Sequence, residues 1–403
     1  MKILVVNGGS SSLKYRLFAG DDIRVVATGL IEKIGEATSL AQLEINGTHG
    51  VEQIKQEVAV ADHGRAIASM LTMLQANGVL EDVSLLGGIG HRVVHGGEAF
   101  HQPVFINEQV IAGIEALIPL APLHNPVNLM GIKALVELAP AVPQVAVFDT
   151  AFHQSIPRHR YLYGLPGRLY EEYHVRRYGF HGTSHSYVSG QAAACLGRPV
   201  EELRLITLHL GNGASAAAIE AGRCVETSMG MTPLEGLIMG TRCGDIDPAI
   251  VFYLARQTGM TMDELDDLLN RQSGLKGICG HNDMRTITML ADRGDASAGL
   301  ALDMFCHRLK KYIGSYLAIL GKTDALVFTG GIGENSALVR QQSCQGLEAL
   351  GIEVDPAKNT GRAEKGREIQ TEQSRVKVLV IPTDEELAIA LQTRQCISDG
   401  SKS

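Results

Sequence analysis

The sequence of 403 residues has no Trp, no long hydrophobic run and no excess of positive charge. A net charge of −8 argues against a general nucleic-acid binder. No apolar run approaches the roughly 20 residues that are needed to cross a bilayer. The start of the chain also lacks the charged region, apolar core and cleavage site of a secretory signal. We therefore expect a cytoplasmic protein with neither nucleic acid nor a membrane as partner, long enough for two domains.

Cysteine is scarce and carries no motif. The seven cysteines are Cys195, Cys224, Cys243, Cys279, Cys306, Cys344 and Cys396. They are odd in number, scattered, and without C-x-x-C spacing. This pattern is typical of reduced thiols in a cytosolic protein, and it argues against a disulfide framework or a zinc site.

The two commonest nucleotide-binding motifs are missing as well. There is no G-x-x-x-x-G-K-[ST] loop and no G-x-G-x-x-G turn. Instead, Lys2–Val6 is predicted to be a buried strand, Asn7–Ser12 a turn rich in Gly and Ser, and Lys14–Phe18 a second strand. Backbone N–H groups, hydroxyls and Lys14 suit such a turn to phosphate, as in the nucleotide sites of actin, hexokinase and Hsp70. An ordinary serine-rich hairpin is the alternative.

The same pattern returns half a chain later. The sequence predicts strands at Arg204–Leu210 and Ala216–Glu220 around the turn Gly211–Ser215, followed by a third strand at Arg223–Thr227. In the first half, Ile23–Gly29 is the matching third strand. Two copies of one meander indicate an α/β fold made by duplication, with a phosphate hairpin from each half facing a shared cleft. A chance likeness between two glycine-rich hairpins is the alternative.

Domain boundaries follow from the predicted strands. Gln144–Phe148 is predicted to be a strand with Asp149 at its carboxyl end, where open α/β sheets bind ligands. We expect one domain over residues 1–150 plus a C-terminal helix at 385–403, capped by Thr383. The other domain, 151–384, is expected to carry most of the nucleotide site. Within it, Gly330–Asn335 follows a predicted strand and opens a helix, a suitable contact for adenosine or a phosphate.

These features together imply ATP with Mg²⁺. Mg²⁺ takes few protein oxygens, and the side chains of Asn7 and Glu385 are candidates to supply them. An acid at a helix N-terminus is the alternative reading of Glu385. Arg92 and Arg242 each stand beside glycines, and arginine grips planar carboxylate and phosphoryl groups with two bonds. The pair therefore favours a carboxylate acceptor over a sugar, although either residue alone is consistent with an ordinary surface arginine.

At this point the chain resembles the acetokinase family from end to end. The matching runs are Asn7–Lys14, Gly90–Glu98, Pro122–Pro126, Phe148–His153, Arg176–His185, His209–Ser215, Gly240–Pro248, Phe328–Asn335 and Pro382–Leu387. The resemblance implies the duplicated actin-like ATPase fold, with two domains around a nucleotide cleft. It also implies a cytoplasmic homodimer that uses Mg²⁺, with Mn²⁺ as an alternative. The implied reaction is reversible phosphoryl transfer from ATP to acetate, which gives acetyl phosphate and ADP.

Roles for individual residues follow from the same resemblance. Metal binding is implied for Asn7 and Glu385, and catalysis for Asp149, His181 and Arg242. Substrate binding is implied for Arg92, with Val94, Leu123, Phe180 and Pro233 around the acetate methyl. Nucleotide binding is implied for Ser10, Ser12, Lys14, His209, Leu210, Gly211, Asn212, Gly213, Asp283, Met284, Arg285, Gly331, Ile332, Gly333, Glu334 and Asn335.

Elementary chemistry qualifies one of these roles. A carboxylic acid with a pKa of about 4 is already ionised at neutral pH, so acetate needs no general base. Asp149 is therefore expected to orient an arginine, the metal's water shell or the substrate.

Cys243 stands where the family usually has Ser, which adds a thiol beside Arg242.

Two other functions remain as alternatives. Propionate kinase is the first, and Val94 favours acetate because it is bulkier than Ala would be. The second is a non-enzymatic actin-like module that binds ATP.

Overall fold

The computed structural model describes residues 1–47, 50–361 and 366–400. The chain separates into two compact units, one of Met1–Ala151 with Asp384–Ser403 and one of Phe152–Thr383. The expected extension of the last helix over residues 401–403 lies outside the described residues. Within the described ranges, no helix combines the length and the apolar character that a bilayer crossing requires.

The first unit is built on an eight-stranded mixed sheet. Its strands are β1 (Lys2–Gly9), β2 (Ser12–Ala19), β3 (Arg24–Glu32), β4 (Ser39–Gly47), β5 (Gly50–Val58), β6 (Gly88–Val93), β7 (Val104–Phe105) and β8 (Gln144–Phe148). Their order across the sheet is β5-β4-β3-β2-β1-β6-β8-β7. Three helices belong to this stretch: α1 (His63–Ala76), α2 (Glu108–Ala116) and α3 (Asn125–Leu138).

The second unit is built on a six-stranded sheet in the order β11-β10-β9-β12-β14-β13. Its strands are β9 (Arg204–Leu210), β10 (Ala214–Glu220), β11 (Arg223–Thr227), β12 (Ala325–Thr329), β13 (Arg367–Glu368) and β14 (Lys377–Val380). Its helices are α4 (Arg158–Tyr161), α5 (Arg168–Tyr173), α6 (Gly182–Leu196), α7 (Ala249–Thr258), α8 (Met262–Arg271), α9 (Gly274–Cys279), α10 (Met284–Asp292), α11 (Ala296–Leu320), α12 (Gly330–Asn335) and α13 (Ala337–Cys344). The chain then returns to the first unit as α14 (Glu385–Gly400).

The two sheets share one topology. In each, three strands form an antiparallel meander whose first strand pairs in parallel with the next strand of the core, β6 or β12. A further parallel strand follows, β8 or β14, with a short antiparallel strand on its outer side. Six strands thus correspond in order and direction. This correspondence confirms the predicted duplication and the α/β actin-like fold.

Strand β1 shows why the first sheet is covered on both faces. Its alternate residues point to opposite sides, as the two-residue period of a strand requires. Leu4 and Val6 belong to one buried apolar cluster with residues of α1, including Ile67. Ile3 and Val5 belong to another with Ile389 of α14. The last helix is therefore part of the core of the first unit.

Several predicted boundaries were wrong by a few residues. The hairpin turn is shorter than predicted, because Asn7 pairs with Lys14 and the ladder continues to Gly9 and Ser12, which leaves two turn residues. Helix α14 is capped by Asp384, whose Oδ1 accepts the N–H of Leu387 at 2.9 Å, and not by Thr383.

Candidate active site

Three strand ends bring an arginine and its partners together in the first unit. Asn7 is in β1, Arg92 is in β6, and Asp149 follows β8 directly. Arg92 donates from Nε to Oδ1 of Asp149 at 3.2 Å and from Nη2 to Oδ2 at 2.5 Å. Its Nη1 donates to Oδ1 of Asn7 at 3.0 Å. Asp149 is 1% exposed, so this fork of two parallel bonds holds Arg92 in a single orientation.

Glu385, the first residue of α14, lies close enough to Arg92 and Asp149 for their charges to affect its carboxyl group. Burial raises the pKa of its carboxyl group to about 7, and the charge of Asp149 adds to the rise while Arg92 opposes it. Its Oε1 is buried and has no hydrogen-bond partner in the described part of the chain. A buried carboxylate oxygen without a partner is costly. Oε1 of Glu385 is therefore suited to bind a cation. Asn7, which bonds Arg92, could supply a second, neutral oxygen ligand.

Side chains of two helices hold the hairpin between β1 and β2. Asn128 of α3 donates from Nδ2 to the carbonyl of Gly8 at 3.2 Å, and its Oδ1 accepts the N–H of Val94 at 3.1 Å. His63 of α1 bonds the carbonyl of Gly9 through Nε2 at 2.8 Å. Sequence reasoning missed both side chains, because no local motif marks a residue that supports a loop from 54 or 120 positions away.

The polar residues predicted on the hairpin itself are accessible. Ser10 and Lys14 are exposed, and Ser12 is half-buried. Because Lys14 pairs with Asn7 across the hairpin, the two side chains share one face of the sheet. Their predicted phosphate contacts remain predictions.

In the second unit, a chain of hydrogen bonds anchors His181. His181 precedes α6 with φ +57°, a left-handed backbone that is uncommon outside glycine. Its Nδ1 lies 2.9 Å from Oγ of Ser215, which lies 2.8 Å from Nε2 of the buried His185. Nδ1 of His185 is 2.7 Å from Oγ1 of Thr207. The ring of His181 also stacks on His209 with centroids 4.3 Å apart. One nitrogen of His181 is thus tied down and the ring is oriented.

His185 at the inner end of this chain is neutral. Burial lowers its pKa well below the usual value of 6.5, and the neighbouring His153 and His209 lower it further. A neutral imidazole donates through one nitrogen and accepts through the other. The tautomer of His185 therefore decides which of Thr207 and Ser215 accepts a hydrogen bond from the ring and which donates one to it. The tautomer of His181 is therefore coupled to a buried network.

Arg242 differs from Arg92 in having no acid partner among the described residues. Its Nη1 donates to the carbonyl of Pro233 at 3.2 Å and contacts Sδ of Met239 at 3.8 Å. Burial lowers its pKa, and no carboxylate among the described residues pairs with it. A Cβ added to Gly213 would lie 3.4 Å from Nη1 of Arg242 and 3.5 Å from Nε2 of His181. The guanidinium and the imidazole therefore face the same glycine.

The acid nearest to Arg242 in sequence is held elsewhere. Oδ1 of Asp245 accepts the N–H of Gly236 at 2.8 Å, and Oδ2 accepts from Tyr312 at 2.8 Å. Arg308 lies 3.5 Å from Oδ2. Cys243 lies between Arg242 and Asp245 in the sequence. Its thiol donates to the carbonyl of Gly244, and burial raises the pKa of the thiol. The thiol is therefore protonated at neutral pH, which opposes the thiolate chemistry expected of a reactive cysteine.

A cavity of about 860 Å³ lies in the second unit, and Gly211 and Asn212, which directly precede Gly213 in the chain, are part of its wall. This volume is in the range of small-molecule sites. Its wall includes eight of the residues predicted to bind the nucleotide, namely Gly211, Asn212, Asp283, Met284, Arg285, Gly331, Ile332 and Asn335. It also includes Asn282, Thr288, Ser336, Ala337 and Leu338, which were not predicted.

The other predicted nucleotide residues of this unit do not line the cavity. They are His209, Leu210, Gly213, Gly333 and Glu334. The carboxylate of Glu334 instead accepts the backbone N–H groups of Gly330 at 2.9 Å and Thr383 at 3.1 Å. It therefore stabilises the glycine-rich turn from within.

Close backbone approach explains two of the glycines near the cavity. A Cβ on Gly330, which has φ +75°, would lie 2.8 Å from the carbonyl oxygen of Leu210. A Cβ on Gly240 would lie 2.0 Å from Oδ1 of Asn212. A larger residue at Gly330 would therefore displace the backbone at Leu210, and one at Gly240 would displace the side chain of Asn212.

The four apolar residues predicted around the substrate methyl divide equally between the units. Val94, 6% exposed, and Leu123, 47% exposed, are in the first unit. Phe180, 2% exposed, and the half-buried Pro233 are in the second. Their shared role remains a prediction.

Comparisons with known proteins agree with this picture. The sequence profile described as the acetokinase family matches residues 2–391. An acetate kinase of Syntrophobacter fumaroxidans is 54% identical over 399 residues, which cover 98% of this chain and 97% of that protein. The crystal structure of Porphyromonas gingivalis acetate kinase is similar with a TM-score of 0.92, at 44% identity over 98% of this chain and 99% of that one. A propionate kinase from Francisella tularensis has a TM-score of 0.91, at 42% identity and the same coverage.

Proposed function

The chain belongs to the acetokinase family, and from that membership we propose that it transfers the γ-phosphoryl group of ATP reversibly to acetate, giving acetyl phosphate and ADP. One structural observation supports this more than any other. An arginine without a carboxylate partner in the described residues and an anchored histidine face the same glycine, Gly213, next to a cavity of nucleotide size.

In this proposal, the second unit contributes mainly electrostatic stabilisation of the transition state. Phosphoryl transfer passes through a loose transition state whose charge is spread over three oxygens. Arg242 would stabilise that charge with donors that no protein acid occupies, and His181 would add a donor from Nε2 while Ser215 holds Nδ1. Groups that are already oriented cost no reorganisation when the charge develops.

Binding of the acetate carboxylate is the contribution proposed for Arg92. The carboxylate is already ionised at neutral pH, so no proton has to be removed before it attacks phosphorus. The two bonds between Asp149 and Arg92 support an orienting role for Asp149 and leave no need for a general base. Asp149 is in this proposal a positioning residue for the guanidinium.

Mg²⁺ fits the residues of the first unit. The unpartnered buried Oε1 of Glu385 and the amide oxygen of Asn7 are hard oxygen donors, and Mg²⁺ requires few protein oxygens because it keeps several waters. When bound, the ion would neutralise phosphate charge. Mn²⁺ prefers similar ligands and is the alternative metal.

Propionate is the alternative substrate, because the structure of a propionate kinase is nearly as similar as that of an acetate kinase. One methylene changes discrimination by only about 1–3 kcal/mol. We favour acetate because the relatives at 50–54% identity are acetate kinases. From the family resemblance we also propose a cytoplasmic homodimer, which size-exclusion chromatography and cell fractionation would test.

The deciding experiment traps the acyl phosphate with hydroxylamine. The full chain is incubated with ATP, MgCl₂ and acetate, propionate or butyrate, and the hydroxamate is measured at several acid concentrations. We expect kcat/KM to be highest for acetate. A higher value for propionate would replace acetate by propionate, and no hydroxamate with any acid would refute the kinase and favour a non-enzymatic ATP-binding module.

A further inference from the structure

Arg340 of α13 is a buried arginine that the mechanism above does not use. Its residue surface is 1% exposed, and no carboxylate in the described ranges pairs with it. Burial and, to a smaller extent, the charge of the nearby Arg367 lower its pKa to about 10, so the side chain is still charged at neutral pH. Removing a charge from water costs several kcal/mol unless hydrogen bonds compensate for it. The bonds that Arg340 makes therefore need an explanation.

Those bonds connect two separate segments. Nη1 donates to the carbonyls of Gly333 at 2.8 Å and Glu334 at 3.0 Å. On the other side, Nε donates to Oδ1 of Asn359 at 2.7 Å, and Nη2 donates to its carbonyl at 2.7 Å. Nδ2 of Asn359 in turn donates to the carbonyl of Ala337 at 2.8 Å. Arg340 and Asn359 thus form a closed clasp around the junction of α12 and α13.

The clasp lies directly behind the wall of the cavity. The carbonyls that Arg340 holds belong to the turn whose other residues, Gly331, Ile332 and Asn335, line the cavity. Ala337, which Asn359 holds, lines it too. Arg340 itself does not line the cavity. Its side chain therefore acts on this wall only through the backbone.

We infer that Arg340 is a positioning residue for the nucleotide: it fixes the backbone of the Gly331–Asn335 turn so that the cavity wall has the shape that binds ATP and ADP. This inference rests on the proposed function, in which the cavity takes the adenosine end of the nucleotide. Acetate is bound by a different set of residues, so loss of the clasp weakens the nucleotide and not the acid. An arginine that served only overall stability would show no such selectivity.

The test compares three variants with the wild-type chain. Arg340→Met keeps the apolar stem and removes every donor. Arg340→Lys keeps the charge but has no fork to reach both segments. Asn359→Ala removes one half of the clasp. We expect KM for ATP to rise at least about tenfold in Arg340→Met and less in the other two, with KM for acetate within about twofold of wild type.

The control is Val339→Ala, a cavity-forming change at a buried neighbour on the same helix. It should lower the melting temperature and leave KM for ATP unchanged. If Val339→Ala and Arg340→Lys lose similar stability and neither changes KM for ATP, the inference is wrong. If Arg340→Met does not fold, the lysine and Asn359 variants decide the question on the same criterion.

Calorimetric titration with ADP separates this inference from the proposed function. A wild-type chain that binds ADP but makes no hydroxamate would refute the kinase reaction, and the ADP affinity of the variants would still test the clasp. Unchanged ADP affinity in both Arg340→Lys and Asn359→Ala, in an active enzyme, would overturn the inference alone.

Discussion

Replacing Arg242 by alanine is the sharpest test of the catalytic arrangement. Of its donor groups, only Nη1 has protein partners in the described part of the chain, which leaves Nε and Nη2 for the reacting group. A hydrogen bond to a charged group contributes about 1.5–3 kcal/mol. Two such bonds, made fully only in the transition state, give about 3–6 kcal/mol, which corresponds to a loss of roughly 10²–10⁴ in kcat.

The assay is hydroxamate formation under saturating ATP and acetate. Because the expected loss is in the transition state, kcat should fall much more than KM for ATP rises. Arg242→Lys keeps a point charge without the planar fork, and should recover only part of the rate. Thermal unfolding of both variants serves as the control for folding.

A clear outcome would refute this reasoning. If Arg242→Ala unfolds at the wild-type temperature and keeps kcat within about threefold of wild type, the guanidinium does not stabilise the transition state. Its position opposite Gly213 would then have a structural explanation only.

Three further predictions concern Asp149, Gly240 and His91, a buried residue of β6. Asp149→Asn should lower kcat/KM for acetate about tenfold to a hundredfold by loosening Arg92, as positioning carboxylates typically do, and leave the shape of the pH–rate profile unchanged; loss of the acidic limb of that profile would instead indicate a general base, which must be unprotonated to act. Gly240→Ala should raise KM for ATP more than KM for acetate, because the new methyl displaces Asn212; equal effects would contradict this reason. Burial lowers the pKa of His91 from 6.5 to about 4, so the unfolded chain takes up a proton first as the pH falls, and stability should drop by up to about 3 kcal/mol between pH 6.5 and 4. Urea unfolding of His91→Gln should show a shallower decline over that window, and an identical slope would contradict the assignment.

Local sequence patterns predicted the fold well, because each copy of the duplicated meander can be recognised from short, contiguous stretches of the chain. Each meander is marked by apolar strands and glycine-rich turns, and the strands Arg204–Leu210 and Arg223–Thr227 match the predicted bounds to the residue. The errors lie at element ends, where side chains compete for the same backbone groups. Thr383 looked like a helix cap, but its N–H is bonded to Glu334 and the cap is Asp384.

The candidate site was only partly predictable. Residues beside glycines or at strand ends could be proposed from the sequence, since these positions have a recognisable pattern, and their roles stay predictions. His63, Asn128 and Arg340 were not, because each acts through the backbone of a segment that is distant in sequence or lies behind the cavity. Tertiary contacts of this kind leave no periodicity or spacing in the sequence.

The two arginines show how one residue type takes different roles through its partners. Arg92 uses one N–H each of Nε, Nη1 and Nη2 on Asp149 and Asn7, which leaves a second N–H on Nη1 and on Nη2 for a ligand, and its charge is largely balanced before that ligand arrives. A guanidinium whose charge is already balanced in this way can orient a carboxylate without leaving an uncompensated positive charge when the ligand is absent. Arg242 is anchored through Nη1 to neutral acceptors alone and keeps its charge uncompensated in a partly buried place. An uncompensated cation is most useful where negative charge develops and then leaves, which is the condition of a phosphoryl group in transfer.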